Sequence, residues 1–162
     1  MTQVVVMGVS GCGKSTVGAL LAKAIGAEFL DGDDLHPAAN KAKMSAGTPL
    51  NDDDRWPWLD KVGAVLAGGD TVVACSALKR VYRERILAAA PGTLFVHLAG
   101  SREVLAHRMN SREGHFMPAS LLDSQLATLE PLAADEPGID IDIDRPIIDI
   151  VALAADWVGS RV

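Results

Sequence analysis

With 162 residues, of which 49% are hydrophobic and 22% charged, the chain is expected to form one globular domain with a proper core. Its net charge of −6 argues against a nucleic-acid binder, which carries a basic excess. Cys12 and Cys75 are the two cysteines and have no C-x-x-C spacing, which argues against a disulfide scaffold or zinc site and fits a reducing cytoplasm.

Taken in chain order, Val4-Val5-Val6-Met7 is an apolar run of strand length. No basic segment precedes it, so it is expected as a strand and not as a signal peptide. No run approaches the ~18 apolar residues of a membrane span. The segment Gly8-Val9-Ser10-Gly11-Cys12-Gly13-Lys14-Ser15-Thr16 comes next, which is G-x-x-x-x-G-K-[ST] with a strand before it and a helix after it. Val17, Leu20, Leu21, Ala24 and Ile25 fall at helical spacing, and Gly26 is placed to end that helix. Ala27 to Asp31 predicts a second strand, with Asp31-Gly32-Asp33-Asp34 at its carboxyl end. His36 to Pro49 is polar and helix-capable, and Asn51-Asp52-Asp53-Asp54-Arg55 reads as a turn and helix start. Strands are expected at Thr71–Cys75 and Leu94–Leu98, and an edge strand with one wet face over the alternating Ile139–Asp144. Helices are expected at Ser101–Met109, around Leu121–Leu129, and after Pro146. This order predicts an α/β fold with a mainly parallel sheet. Residues 34–67 read as a substrate-side insertion and residues 110–130 as a lid region within a single domain, 1–162.

The chemistry implied is phosphoryl transfer, which needs charge neutralisation, an in-line acceptor and exclusion of water. Glycines let successive N–H groups face phosphate oxygens, and the adjoining helix N-terminus favours an anion. Lys14 is expected to reach the β- and γ-phosphates of a nucleoside triphosphate, and the Ser15 hydroxyl to hold Mg²⁺. The third strand ends in Cys75-Ser76 without the metal-binding Asp of a P-loop hydrolase. Asp31 and Asp33 are the candidates instead, one orienting metal-bound water and the other accepting a hydroxyl proton. On composition alone this stretch would be a solvated turn. Lys79, Arg80 and Arg83 open a helix, where cations oppose the dipole, so they are read as gripping a substrate carboxylate. A solvated helix face is the alternative. Arg108 and Arg112 flank a Gly114 stretch and are candidates for phosphate charge on a closing lid, or plain surface charge. His36 and His115 are candidate hydroxyl contacts, and Trp56 and Trp58 are left as packing residues. The guanine signature Asn-Lys-x-Asp is not met by Asn40-Lys41-Ala42-Lys43.

These motifs together resemble the small P-loop gluconokinases, similar in plan to shikimate and adenylate kinases. The resemblance rests on the phosphate loop, on Asp31-Gly32-Asp33-Asp34-Leu35-His36-Pro37, on Asn40 to Met44, and on Gly47 through Leu59. It continues in Cys75-Ser76-Ala77-Leu78-Lys79-Arg80 with Tyr82-Arg83, in Arg112-Glu113-Gly114-His115-Phe116-Met117, and in Leu121-Leu122-Asp123-Ser124-Gln125 with Leu129-Glu130. It implies a P-loop three-layer α/β/α fold with a five-stranded sheet. It also implies a cytoplasmic homodimer that phosphorylates D-gluconate from ATP with Mg²⁺, without nucleic-acid or membrane partners. Residue by residue, Lys14, Asp33 and Arg112 are expected as catalytic. Gly8, Ser10, Gly11, Cys12, Gly13, Lys14, Ser15, Thr16 and Arg108 are expected at the nucleotide. Asp33, His36, Arg55, Lys79, Arg80, Arg83 and His115 are expected at the substrate, and Ser15 and Asp31 at the metal. A shikimate kinase, the nearest alternative, would carry a glycine run where this chain has Leu78-Lys79-Arg80.

Overall fold

The computed structural model describes residues 1–110 and 119–162. Its centre is β1 (Gln3–Met7), whose five residues are all buried. A run of valines buried on both faces is what a strand in the middle of a parallel sheet requires. β1 lies between β3 (Thr71–Ala74) and β4 (Leu94–Ala99), with Val5 opposite both Val73 and Phe95. Outside these lie β2 (Glu28–Asp31) and β5 (Gly138–Asp142). Among the described residues the sheet has five strands in the order β2-β3-β1-β4-β5, and every pairing is parallel. β5 is an edge strand, as its alternating sequence predicts, with Ile141 buried and Asp140 and Asp142 exposed.

One face of the sheet packs α1 (Lys14–Ile25) and α7 (Ile147–Gly159), through Val17 and Leu21 and through Ile150, Ala154 and Val158, against Val4, Val6, Val96 and Leu98. The other face packs α3 (Asp52–Ala67) and α4 (Arg80–Ala89), through Leu59, Val62 and Leu66 and through Tyr82 and Ile86, against Val5, Met7, Val73 and Phe95. The result is three layers. α5 (Arg102–Asn110) and α6 (Ala119–Thr128) add Leu105 and Leu122 to the first core. α2 (Ala38–Ser45) buries only Asn40 and stands off the sheet.

Residues 34–67 therefore differ from a pure insertion. The second half of α3 is a layer of the core, because Trp58, Leu59, Val62, Gly63 and Leu66 fall on one helical face and are buried. The part that stands outside the sheet layers is the short 3₁₀ turn Gly32–Leu35, α2 and the first turns of α3. From β1 the chain runs to β2 and β3 on one side and then crosses to β4 and β5 on the other. The crevice at the carboxyl ends of the strands, where the order reverses, is where ligands enter such sheets.

Candidate active site

The loop after β1 turns into α1 at Gly13, whose φ of 93° is a left-handed conformation that a side chain would strain. The first intrahelical bond runs from Val17 N–H to Gly13 O at 2.9 Å, so the N–H groups of Lys14, Ser15 and Thr16 are left at the open helix end. Open N–H donors and the positive end of the helix dipole together suit a phosphate. Lys14 Nζ donates to Gly8 O at 3.0 Å and Val9 O at 3.2 Å, which holds it across the mouth of the loop. Of the loop residues, Cys12 behaves differently from the rest. Its side chain is wholly buried in the core beneath the loop, its N–H turns inward to Val9 O at 3.3 Å, and burial pushes its thiol pKa up.

β2 delivers the acids. Ser15 Oγ donates to Asp31 Oδ2 at 3.0 Å, and Asp31 Oδ1 accepts the Asp33 N–H at 3.0 Å. This ties the loop hydroxyl to the Asp31 carboxylate and, through its backbone N–H, to Asp33. The turn can close this tightly because Gly32 has no side chain: a Cβ there would stand 2.5 Å from Ala74 O. Burial, and then the neighbouring Asp31 charge, push the Asp33 pKa above the ordinary carboxylate value, while Lys14 pulls it down less strongly.

His36 lies just beyond the turn and is buried against Trp58, with ring centroids 4.1 Å apart and planes 18° from parallel. Trp58 Nε1 donates to Gly32 O at 2.7 Å, so α3 is fastened to the backbone between the two acids. Asn40 Nδ2 donates to Asp54 O at 2.8 Å, which fixes which amide atom is the nitrogen, and the same nitrogen lies 3.1 Å from His36 Nδ1. Nδ1 is therefore the acceptor, and the proton of the neutral ring sits on Nε2. Burial lowers the His36 pKa, keeping the ring neutral, with Asp33 acting in the opposite direction. A neutral ring with Nε2–H is a donor suited to a hydroxyl.

The basic cluster divides, and two of its members are not what their spacing predicts. The Arg83 side chain is fully buried. Its Nε donates to Glu136 Oε1 at 2.7 Å and Nη2 to Glu136 Oε2 at 3.0 Å. Nη1 reaches Ala77 O and Leu78 O, and Nη2 also reaches Glu130 O. All five N–H groups are used, so Arg83 has none left for a substrate carboxylate. Arg80 is half-exposed and paired through both terminal nitrogens with Asp135, at 3.0 and 2.7 Å, while its N–H goes to Glu130 Oε1 at 3.0 Å. Both arginines hold the loop after β3 against the segment before β5. Arg83 in particular supports Ala77, whose φ of 45° is left-handed for a residue with a side chain.

Lys79 and Arg55 remain. Both lie over the ring of Tyr82, with Lys79 Nζ 5.6 Å and Arg55 Cζ 5.4 Å from its centre. Arg55 uses Nη1 on Tyr82 Oη at 3.2 Å and Asp52 Oδ1 at 3.4 Å, and Tyr82 Oη donates to Asp52 Oδ1 at 2.6 Å. Nε and Nη2 of Arg55 make no hydrogen bond within the described residues. Burial, and then the hydrogen bond to Asp52, push the Tyr82 pKa up to about 12. Arg108 lies near enough to the loop to favour the Cys12 thiolate, and its guanidinium donates to Ile143 O. Arg112 and His115 lie outside the described residues.

Sequence reading did not assign Trp58, Asp52, Tyr82 or Gln125 to the site. Trp58 was legible only as an apolar ring, and its N–H is what ties it to Gly32. The partners of Gln125 are 115 residues away, a distance that no local pattern encodes.

A phosphate loop, an adjacent hydroxyl and paired acids at the carboxyl edge of a parallel sheet define a P-loop kinase. A family model described as an AAA domain matches residues 4–132. A gluconokinase of Gluconobacter oxydans (strain 621H) is 53% identical over 146 residues, covering 87% of this chain and 82% of that one. The crystal structure of a gluconokinase from Sinorhizobium meliloti 1021 superposes with a TM-score of 0.91 at 50% identity, covering 98% of this chain and 92% of that chain. The chain belongs to the gluconokinase family. A shikimate kinase from Bacteroides thetaiotaomicron, with a TM-score of 0.71 at 15% identity over 98% of each chain, shares the fold alone.

Proposed function

We propose that the protein transfers the γ-phosphoryl group of ATP to the terminal hydroxyl of D-gluconate, giving 6-phosphogluconate and ADP. The observation that carries this reading is the hydrogen-bonded chain from Ser15 through Asp31 to the Asp33 N–H beside the phosphate loop. Lys79, and Arg55 with its Nε and Nη2, are the cations of the basic cluster that keep donors to spare within the described residues. Lys14 and the helix-end N–H groups would neutralise phosphate charge. Asp33 would accept the proton of the attacking hydroxyl, and burial, which raises its pKa above the ordinary carboxylate value, suits it to that role. His36 Nε2–H would orient a hydroxyl. Arg108, and Arg112 outside the described residues, would serve the phosphates.

Ser15 Oγ and Asp31 Oδ2 are hard oxygen donors set together, and they fit Mg²⁺ held largely by phosphate and water. Among the described residues no group of three His, Cys, Asp or Glu could hold a metal, consistent with an ion that arrives with the nucleotide. When bound, Mg²⁺ would supply further neutralisation of the phosphates.

The carboxylate of gluconate is six carbons' length from its reactive hydroxyl, so its grip must lie away from the phosphate loop. With Arg83 and Arg80 committed elsewhere, this role falls to Arg55 and Lys79. The reading also includes a homodimer in the cytoplasm, supported by the family resemblance; light scattering behind size exclusion checks the first. The charge of −6 supports the absence of a nucleic-acid partner. No helix among the described residues is long and apolar enough to cross a membrane.

The test is ADP release across a panel of sugar acids and polyols. Gluconate should be turned over, glucose and sorbitol poorly, because the cationic pair would lack its anion. Arg55→Ala should raise the KM for gluconate about tenfold or more, as loss of a charge-assisted bond implies, with the KM for ATP little changed. Glucose turned over as well as gluconate would overturn the carboxylate grip.

A further inference from the structure

Gln125 lies on α6, half-buried, and both ends of its amide bind one residue of the phosphate loop. Its Oε1 accepts the Ser10 N–H at 2.6 Å, and its Nε2 donates to Ser10 Oγ at 2.9 Å. The amide can sit only this way round, because a backbone N–H needs an acceptor. The peptide unit joining Val9 to Ser10 is planar and trans, so its C=O and N–H point in opposite directions. On the N–H side stands Gln125. On the C=O side stand Lys14 Nζ at 3.2 Å and the Cys12 N–H at 3.3 Å. Whatever fixes the tilt of that plane also fixes the stance of Lys14 and the curl of the loop. α6 is itself well anchored. Leu122 is buried in the core, Arg102 pairs with Asp123 at 2.6 Å, and Glu130, just beyond the helix, donates its N–H to Leu78 O at 2.7 Å.

We propose that Gln125 is a positioning residue for the phosphate loop, orienting the Val9–Ser10 peptide and through it Lys14. This rests on the reading that the loop binds ATP. Gln125 touches neither substrate nor reacting atoms in this role. Its removal should therefore weaken nucleotide binding and slow transfer while leaving gluconate binding alone.

The experiment measures steady-state kinetics and calorimetric binding of Mg²⁺–ADP for the full chain and its Gln125→Met variant, which keeps length and helix preference but not the hydrogen bonds. The expected result is a rise of about tenfold in the KM for ATP and in the Kd for ADP, as loss of two neutral hydrogen bonds implies. kcat should also fall, with the KM for gluconate and the thermal midpoint close to wild type. A role confined to holding the fold together would move the midpoint and spare this split. Ser10→Ala, which keeps the N–H but removes Oγ, should weaken ADP binding less. Combined with Gln125→Met it should add little to that variant alone, because the two share one interaction. Unchanged or tighter ADP binding in Gln125→Met, or strictly additive effects in the double variant, would overturn the proposal. Tighter binding would mean the amide competes with phosphate for the Ser10 N–H. Wild-type protein that fails to bind ADP would instead remove the underlying reading of the loop.

Discussion

At the scale of single residues, Arg83 and Arg55 carry the same charge and do different things. Arg83 lies in the first turns of α4, close to Lys79 and Arg80, and its partner Glu136 is 53 residues further on. Nothing in the local pattern distinguishes it from a ligand-binding cation; the acid that claims it arrives from the segment before β5. Burial pushes the Glu136 pKa up, but hydrogen bonds from Arg83 and the Ala133 N–H, with the guanidinium charge, pull it down further, and the net value is lowered. A carboxylate whose folded pKa is below its unfolded one stabilises the fold above the unfolded value, about 4.3 for Glu. That contribution is lost as the pH falls from there through the folded value. Arg83→Met should cost about 3–5 kcal/mol near neutrality, because Glu136 is left buried without its partner. In the variant burial is opposed only by the Ala133 N–H and the Arg80 charge, so the Glu136 pKa moves up and lowering the pH should relieve part of the defect. Urea denaturation at pH 7 and pH 4 checks this: wild type should weaken between the two, and the variant should weaken less or gain.

At the scale of elements, α3 links the core to the site. Asn51 and Asp54 cap it reciprocally, with Asp54 N–H to Asn51 Oδ1 at 2.8 Å and Asn51 N–H to Asp54 Oδ2 at 3.0 Å. The three acids of its first turn suit the positive helix end. That start was legible in Asn51-Asp52-Asp53-Asp54. The tie one turn further along the helix was not legible, because it depends on a polar atom at the edge of an apolar ring. Trp58 packs into the core with Leu59 and Val62 while its N–H holds Gly32 O. Trp58→Phe keeps an aromatic surface for His36 and removes that donor, together with some of the ring's packing in the core. Leaving the Gly32 carbonyl unpaired should cost about 1–3 kcal/mol of stability. Because Gly32 joins Asp31 to Asp33, kcat should also fall, with smaller changes in either KM. Denaturant titration and kinetics on the same preparation read both effects. Loss of stability with kcat intact would show that the tie serves the fold alone.

At the scale of the whole molecule, the strands, their order of burial and the phosphate loop were legible because local pattern determines them. Valine runs buried on both faces make inner strands, alternation makes the edge strand β5, and three glycines before Lys14 make a loop. The site is less legible because residues from Gly8 to Glu136 converge on one edge of the sheet, brought there by parallel crossovers. That convergence has a thermodynamic consequence. Lys14 belongs to both the loop and the first turn of α1, whose Val17 and Leu21 lie in the core, so a nucleotide held there binds the folded chain and not the unfolded one. Mg²⁺–ADP at a hundredfold excess over its Kd should add about 2.7 kcal/mol by mass action. For a chain of this size each kcal/mol is worth about 2–4 °C, so the thermal midpoint should rise by roughly 5–10 °C. Lys14→Ala removes two hydrogen bonds to Gly8 O and Val9 O at the mouth of the loop and nothing from the core, so its midpoint without nucleotide should stay near wild type. Its shift with the same ADP concentration should shrink to a small fraction, and its transfer rate should fall by several orders of magnitude as γ-phosphate neutralisation is lost. Scanning calorimetry with and without ADP separates the two effects. A full ADP shift in Lys14→Ala would place the nucleotide elsewhere than the loop after β1.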